Sequence, residues 1–481
     1  MNHNRKVFAA VALTVAATTV LAGCRPATPP REPFRAVDFN VNEIATQQGA
    51  GPFKTGNLVG NRDLEIVVSS LLFTPPVGGP PSPLPGDVKM YQRSGGTFTA
   101  STIIPTSAGI VGPNTPTISD VDGDGRNDVI VPAGYFFTRV SPTVGKGTLT
   151  WWKNNGDGTF TRNDVATNVN GSYHSVAHVD LDRDGVKDLV TTYEDGGFPA
   201  WPNAGPPVAP LVETQYFKGL GAGAFGPATR LSGFGGSTPV VFDVDVDGDL
   251  DIASAQYFKV KTSPNPAFGI TDESFIWLEN TKGNGSALVE ANFTKHVIAR
   301  GLGESYEIVP IDNMDGNGKY GAIGINHTNP GIAGSAAPQL VRLTPGSDPR
   351  AEWTVTVIED EFSVDSVRPG QAAPGRPSEG DLDGDGDIDL TVHGDSDWGV
   401  YWFERKADGS WLKHDIAEEY GVPGTNYGQG STRVADLNRD GKNEIVFTSY
   451  NTNKVVVVER VANTGGLLPA VPHQPDLLFP Y

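Results

Sequence analysis

Cysteine is nearly absent from this sequence, because Cys24 is the only one in 481 residues. A single cysteine excludes an intrachain disulfide, so a chain of this size must be stabilised by other means. Basic residues are also scarce: 36 lysines and arginines stand against 56 aspartates and glutamates, and the formal net charge is −20. This charge argues against nucleic acid or an anionic membrane surface as a partner.

Helical patterns and familiar catalytic motifs are missing as well. No stretch keeps a sustained helical period, whereas 59 glycines and 38 prolines suit many short strands and turns. The sequence has no G-x-S-x-G elbow, no P-loop, no H-E-x-x-H and no disulfide redox pair. These absences favour an all-β protein and give no positive indication of an enzyme.

Aspartate at alternating positions is what the sequence has in abundance. The stretch 381–389 reads DLDGDGDID and runs into the apolar residues Leu390 and Val392. So many carboxylates in nine residues cannot all stay ionised without a cation between them. Ca²⁺ takes six to eight oxygen ligands, and alternating aspartates around the turn at Gly386 supply them.

Four sister loops repeat this pattern before β-branched, apolar residues. They span 120–128, 180–188, 243–251 and 436–444. An EF-hand would need a glutamate at the twelfth position and helices on both sides, but Val131, Thr191 and Val392 stand at that position in front of strand-like sequence. The acid at position nine, the apolar strand that follows and the repetition resemble the calcium loop of FG-GAP (VCBS) repeats, the units of the integrin α-chain propeller.

The resemblance implies about five calcium ions, each held by side chains at positions one, three, five and nine and by the backbone carbonyl at position seven. The implied ligands are Asp120, Asp122, Asp124, Arg126 and Asp128; Asp180, Asp182, Asp184, Val186 and Asp188; Asp243, Asp245, Asp247, Asp249 and Asp251; Asp381, Asp383, Asp385, Asp387 and Asp389; and Asp436, Asn438, Asp440, Lys442 and Glu444. Two further copies are degraded. The copy at 313–321 has Gly321 at position nine, and the copy at 57–65 has lost most ligands.

The seven copies recur about every 63 residues, a period typical of propellers, solenoids or arrays. Each copy except the last predicts four strands, the unit of a propeller blade. The last copy lacks a fourth strand, and the alternating segment 34–44 can supply it and so remove the free sheet edges. We therefore predict an all-β, seven-bladed β-propeller of four-stranded antiparallel blades over residues 34–465, closed by an N-terminal strand.

Paired aromatics recur at a fixed place in the copies, as at Trp151 and Trp152. They predict packing between blades rather than a platform that stacks on sugars.

The N-terminus has the layout of a secretory signal. Arg5 and Lys6 precede an apolar run that is too short to span a membrane. Leu-Ala-Gly-Cys at 21–24 resembles the bacterial lipobox, which implies lipidation of Cys24. We predict a lipoprotein signal peptide at 1–23, a flexible tether at 24–33 and a Pro-rich tail at 466–481. The resemblance implies an exported protein anchored to the bacterial cell membrane or outer membrane; an ordinary signal peptide is the alternative.

Function is expected on the face opposite the acidic loops, where long connections emerge. The predicted ligand-face residues are Tyr173, His174, Tyr193, Trp201, Tyr257, His327, His393, Trp398 and Tyr427, with Tyr306 and Tyr450 nearby. We expect a monomer that binds a carbohydrate or protein there without catalysis. The alternative is a carbohydrate-active enzyme of the polysaccharide lyase or sugar dehydratase type, with His327, His393, Tyr173 and His174 as acid–base groups. A purely structural envelope component is a third possibility.

Overall fold

The computed structural model describes residues 39–73, 83–134, 146–195, 211–236, 238–258, 260, 271–282, 288–312, 314, 320–327, 337–362, 373–395, 399–416 and 430–460. The chain divides into two units, Met1–Pro33 and Phe34–Tyr481, and the described residues all belong to the second. The predicted signal peptide, Cys24, the tether and the tail lie outside the described residues. Within the described ranges, no helix is long and apolar enough to cross a membrane.

The strands form seven four-stranded antiparallel sheets, which we call blades 1 to 7. β1 (Phe39–Thr46) comes first in the chain. Blade 1 follows with β2 (Ala50–Gly56), β3 (Glu65–Ser70), the short ribbon β4 (Leu72–Phe73) and β5 (Pro83–Leu84), β6 (Val88–Ser94) and β7 (Thr97–Ile104). Blade 2 contains β8 (Thr117–Ser119), β9 (Asp128–Ala133), β10 (Gly147–Asn154) and β11 (Phe160–Val169). Blade 3 contains β12 (Ser172–Val179), β13 (Asp188–Asp195), β14 (Leu211–Phe217), the hairpin β15 (Gly219–Gly221) and β16 (Ala224–Phe225), and β17 (Thr229–Ser232).

The remaining blades repeat the same order. Blade 4 contains β18 (Val240–Phe242), β19 (Asp251–Ala255), β20 (Glu273–Asn280) and β21 (Phe293–Arg300). Blade 5 contains β22 (Ser305–Ile311), β23 (Gly321–Asn326), β24 (Leu340–Thr344) and β25 (Thr354–Glu359). Blade 6 contains β26 (Ala373–Gly380), β27 (Asp389–Asp395), β28 (Val400–Arg405) and β29 (Trp411–Asp415). Blade 7 contains β30 (Gly430–Ala435), β31 (Glu444–Ser449) and β32 (Lys454–Arg460). In the part of the chain that the structure describes, two short 3₁₀ helices span Thr106–Ala108 and Glu290–Asn292.

The ring closes through β1. This strand pairs antiparallel with β32, from Phe39 opposite Arg460 to Thr46 opposite Lys454, and becomes the fourth strand of blade 7. The ring of Phe39 packs edge-on against Trp402 of blade 6, with 5.6 Å between the ring centroids. The prediction of a seven-bladed propeller closed by an N-terminal strand is confirmed. Closure pairs the outer edge of β32, which would otherwise be open to another chain.

The core of the ring lies between the blades. Seven clusters of buried apolar side chains are each shared by two neighbouring blades, including blades 7 and 1. Consecutive aromatics on the third strand serve two clusters, because successive side chains in a strand point to opposite faces. Trp152 packs with Val88 of blade 1, whereas Trp151 packs with Phe217 of blade 3. The paired aromatics therefore pack between blades, as the sequence predicted.

Each blade presents its connections on two faces. The loop between the first and second strands carries the acidic sequence, as between β8 and β9 or between β26 and β27. The connections between second and third strands lie on the other face, because neighbouring strands run antiparallel. We call the face that carries the acidic loops the loop face, and we call the opposite face the channel face. The innermost strands of the blades surround the central channel, so residues that begin those strands lie at its mouth on the channel face.

Candidate functional site

The first aspartate of each acidic loop organises the turn through backbone hydrogen bonds. In all five complete loops its Oδ2 accepts the N–H of the glycine at position six, over 2.9–3.1 Å. In blade 6, Oδ1 of Asp381 also accepts the N–H of Gly384 at 2.6 Å. Gly386 has φ +94°, a conformation that L side chains rarely adopt, so glycine is required there. The turn keeps the carboxylates of positions one, three and five on the same side of the loop.

The acid at position nine begins the second strand and is buried. One of its oxygens accepts the N–H of the residue at position two in all five loops, over 2.7–3.0 Å. In blades 2, 3, 4 and 6 the other oxygen accepts an N–H at the end of the third strand or, for Gly219 in blade 3, two residues beyond it, over 2.8–2.9 Å. Burial raises the pKa of Asp251 and of Asp389 to about 8. A cation beside these acids would favour their ionised form.

The loops bring enough oxygen atoms together to hold a metal ion. Ligand atoms within 4.8 Å of one another occur in Asp120, Asp122 and Asp128, in Asp180, Asp182 and Asp188, in Asp243, Asp245 and Asp251, and in Asp381, Asp383 and Asp385. The donors in these groups are carboxylate oxygens, the type that hard divalent cations prefer. In blade 7, Asn438 and Glu444 instead hydrogen-bond each other at 3.3 Å.

The degraded loop of blade 1 keeps the fold of the others without the acids at positions one, three and five, where Asn57, Val59 and Asn61 stand. Oε2 of Glu65 accepts the N–H of Leu58 at 2.7 Å, the same bond that position nine makes elsewhere. Oδ1 of Asn57 accepts the N–H of Gly60 at 2.8 Å. The blade 5 copy at Asn313, Asp315 and Asn317 lies outside the described residues. The acid at position nine therefore has a structural role that does not depend on a full set of ligands.

The second candidate site is a pocket at the channel mouth, opposite the acidic loops. It has a volume of about 260 Å³, and all seven blades contribute to its lining. Rings surround Tyr306: the His327 ring lies 5.0 Å away, and the His174 ring lies 6.4 Å away. Tyr257 adds a further ring at 5.9 Å from His327. The pocket thus combines aromatic surface with hydrogen-bonding side chains, which is typical of ligand sites.

Arg376 joins this pocket to the channel below it. Its Nη2 donates to the hydroxyl of Tyr306 at 3.0 Å, and its guanidinium also contacts Thr115. The residue has φ +41° within a bulge of β26, an uncommon conformation for a side chain other than glycine. Deeper in the channel, Glu307 lies 3.9 Å from Arg433. Burial lowers the pKa of the nearby Lys54 well below its usual value.

The predicted ligand-face residues fall into three groups in the structure. His174, Tyr257 and His327 line the pocket, together with Tyr306 and Tyr450. Tyr173, Tyr193 and His393 are buried instead, which corrects their placement on an exposed face. Trp201, Trp398 and Tyr427 lie outside the described residues.

The buried group turns inward for identifiable reasons. The hydroxyl of Tyr173 donates to Gln215 at 3.1 Å, and its ring packs on Tyr193 and Phe217. His393 has its ring against Phe447, and its Nδ1 lies 3.1 Å from the Gly399 carbonyl. Strand alternation directs these side chains into the cores between blades. These neighbours cover most of their surface, and none of the three lines the pocket.

Several pocket residues carry no pattern that the sequence alone would reveal. Arg376, Phe258, Asn114 and Ser431 line the pocket, yet each comes from a different blade. They meet only because the ring brings together the starts of the innermost strands and, for Phe258, the segment that follows the second strand of blade 4. His174 also has a partner that sequence reasoning did not pair with it, since its Nδ1 lies 2.6 Å from Oε2 of Glu194.

Comparison with known proteins identifies the repeating unit. The family described as FG-GAP-like repeat matches residues 139–191 and 381–447. The chain carries FG-GAP-like repeats. The matched segments contain the acidic loops of blades 3, 6 and 7, so the FG-GAP-like pattern coincides with the loops whose geometry is given above. No curated protein sequence matches the chain.

Solved structures with a similar arrangement include two enzymes. Rhamnogalacturonan lyase YesW is 14% identical, with 89% of this chain and 92% of that chain covered and a TM-score of 0.34. The exotype rhamnogalacturonan lyase YesX is 13% identical, with 88% of this chain and 91% of that chain covered and a TM-score of 0.36.

Proposed function

We propose that this protein is a calcium-binding, lipid-anchored propeller outside the cytoplasm that binds a carbohydrate in the channel-mouth pocket and releases it unchanged. The observation that carries the proposal is the pocket itself. It is concave, receives residues from every blade and sets tyrosine and histidine rings beside hydrogen-bonding groups. Sugars are bound by this combination, because ring faces cover apolar C–H surface while polar groups meet the hydroxyls.

Calcium has a structural role in this proposal. The side chains at positions one, three, five and nine of the five complete FG-GAP-like loops would hold one ion each. Bound calcium neutralises carboxylates that otherwise repel one another. Because it binds the folded loop and not the unfolded chain, it stabilises the fold by mass action. This supplies the stability that a chain without disulfides needs.

The anchor in this proposal rests on the sequence. The Leu-Ala-Gly-Cys motif at 21–24 follows an apolar run and precedes a Pro-rich segment. Lipidation of Cys24 would attach the propeller to the bacterial cell membrane or outer membrane, and the segment 24–33 would act as a tether. A protein partner is the other ligand class that we expected, and it would engage the wider channel face rather than the pocket.

An enzyme acting on extracellular carbohydrate is the second candidate, and two contacts favour it. His174 pairs with the buried Glu194 at the pocket, and Tyr306 lies beside Arg376. A histidine with a carboxylate partner is a common acid–base arrangement, and a tyrosine beside a guanidinium can serve as a proton donor. The fate of the bound sugar separates the two candidates.

The pocket is tested with an array of neutral and acidic oligosaccharides. We expect at least one class to bind, and we expect His327→Ala to weaken that binding about tenfold by removing a pocket wall. Leu220→Ala is the matched control, because Leu220 is 62% exposed in the β15–β16 hairpin, at the loop-face end of β14. Equal affinities in the wild type, His327→Ala and Tyr257→Ala would contradict the pocket assignment.

Product analysis decides between binding and catalysis. After incubation, mass spectrometry should return the bound oligosaccharide at its original mass. Shortened sugars, or an unsaturated product that absorbs in the ultraviolet, would support the enzyme and overturn the binding proposal.

A further inference from the structure

The lining of the channel-mouth pocket is basic. Its basic side chains are His174, His327 and Arg376, and none of the described residues in the lining is an aspartate or a glutamate. Glu194, which bonds His174, and Glu304 are fully buried and are not part of the lining. The formal net charge of the chain is −20, so the lining is opposite in sign to the protein as a whole. A basic lining in an acidic protein favours an anionic ligand.

Arg376 is held in the lining by an uncommon backbone conformation. Seven described residues other than glycine have positive φ, and Arg376, 7% exposed, is the only buried one among them. Its φ of +41° falls in a bulge of β26 between Gly375 and Pro377. A bulge redirects a side chain, and strained residues of this kind cluster at ligand and active sites. Here the redirected side chain lines the pocket.

Two hydroxyl groups orient the guanidinium of Arg376. Nη2 donates to the hydroxyl of Tyr306 at 3.0 Å, and Nη1 contacts the hydroxyl of Thr115. The guanidinium also lies 5.5 Å from the centre of the Tyr306 ring. Both hydroxyls are neutral, so these two bonds fix the direction of the guanidinium without cancelling its charge. An arginine has five N–H donors in a planar fork, which can serve these hydroxyls and the oxygens of a ligand carboxylate together.

Blade 1 gives the pocket a wall of a different kind. Pro52, Leu71, Phe73 and Pro83 line this part, and all four are apolar. An inorganic anion would leave this wall and the aromatic rings of the pocket uncovered, whereas the C–H faces of a sugar ring can cover them. The pocket therefore suits an anion with a carbon body.

We propose that the channel-mouth pocket selects a carbohydrate that carries a carboxylate, that is, a uronic acid, and that Arg376 binds this carboxylate. The inference rests on the proposed carbohydrate binding in this pocket and names the class of sugar. The attraction between guanidinium and carboxylate is strong there, because the arginine is nearly fully buried and protein screens charges less than water does. The rings of Tyr257, Tyr306 and His327 can contact sugars of either kind, whereas Arg376 discriminates between charged and neutral ones.

The test compares acidic sugars with uncharged sugars of the same shape, by calorimetry on the purified protein in calcium buffer. The probes are oligosaccharides of glucuronic, mannuronic and galacturonic acid, their methyl esters, and neutral and sulfated oligosaccharides of equal length. We expect at least one acid to bind at least about tenfold more tightly than its methyl ester, because the ester keeps the ring and loses the charge.

Two substitutions of Arg376 separate its charge from its part in the fold. Arg376→Gln should lower the affinity for the acid about tenfold or more, while the affinity for the methyl ester stays within about threefold of the wild type. Arg376→Gly should have the same effect, and glycine adopts a positive φ without strain, so the fold is preserved. Arg183→Gln is the matched control, because Arg183 is an exposed arginine with φ +54° in the acidic loop of blade 3. This control should bind both sugars as the wild type does.

A loss of acid binding with unchanged ester binding would support Arg376 as the residue that selects the acid. Four results would overturn the inference while carbohydrate binding stands: esters that bind as tightly as acids, sulfated sugars that bind in place of the acids, Arg376 variants that keep the wild-type affinity for the acid, or variants that lose acid and ester equally. A wild type that binds none of these sugars, charged or neutral, would instead overturn the proposed function on which the inference rests.

Discussion

Asp389→Ala is expected to lower the free energy of unfolding by about 3 kcal/mol whether or not calcium is present. The side chain is fully buried at the start of β27. Its Oδ2 accepts the N–H of Leu382, and its Oδ1 accepts the N–H of Arg405, each at 2.9 Å. Alanine leaves both N–H groups without an acceptor, and each unsatisfied buried group costs about 1–3 kcal/mol.

Chemical denaturation in calcium and in chelator measures this effect, and Asp385→Ala is the matched control. Asp385 belongs to the same loop but is exposed, and the Asp387 N–H that its Oδ1 accepts at 2.8 Å can bond water instead, so its stabilising effect comes mainly from a bound ion. We expect Asp385→Ala to lose stability in calcium and to match the wild type in chelator. If Asp389→Ala also matched the wild type in chelator, position nine would be a metal ligand without the structural role assigned here.

Replacing β1 by a flexible Gly/Ser segment of the same length is expected to destabilise the propeller by at least about 3 kcal/mol. The replacement removes the ladder between β1 and β32 and the contact of Phe39 with Trp402. It also uncovers apolar side chains in the cluster that blades 6 and 7 share. An open edge on β32 invites pairing with a second chain, so the variant should also self-associate.

Thermal unfolding and light scattering report these two effects. Asn40→Ser is the control, because Asn40 lies exposed in the same strand and its backbone pairing with Glu459 is kept. Its melting temperature should stay close to that of the wild type. A replaced strand that left both melting temperature and mass unchanged would mean that β1 does not close the ring.

The repeat pattern made the fold predictable, because position nine and the apolar run after it mark the same strand in every blade. Glu65 and Gly321 show the limit of that pattern: the strands survive where the ligands do not. The closing strand was predictable because the last copy lacks a fourth strand of its own, which the N-terminal segment can supply. Local sequence therefore determined the blades and the loop face.

The pocket could not be predicted in the same way, because its residues are distant in sequence and meet only in the closed ring. Arg376 depends on a bulge in β26, and the Pro374, Gly375 and Pro377 that surround it indicate a loop as readily as a bulged strand. Tyr173 and His393 were misplaced because strand alternation and the neighbouring blade decide which side chains turn inward.

The central claim is that the FG-GAP-like loops hold calcium and thereby stabilise the propeller. Calcium stoichiometry, combined with thermal unfolding in calcium and in chelator, tests it most directly. The account predicts about five ions per chain and a melting temperature that falls by at least about 5 °C when calcium is removed. A protein that bound no calcium and melted at the same temperature in both conditions would show that the acidic loops are only turns.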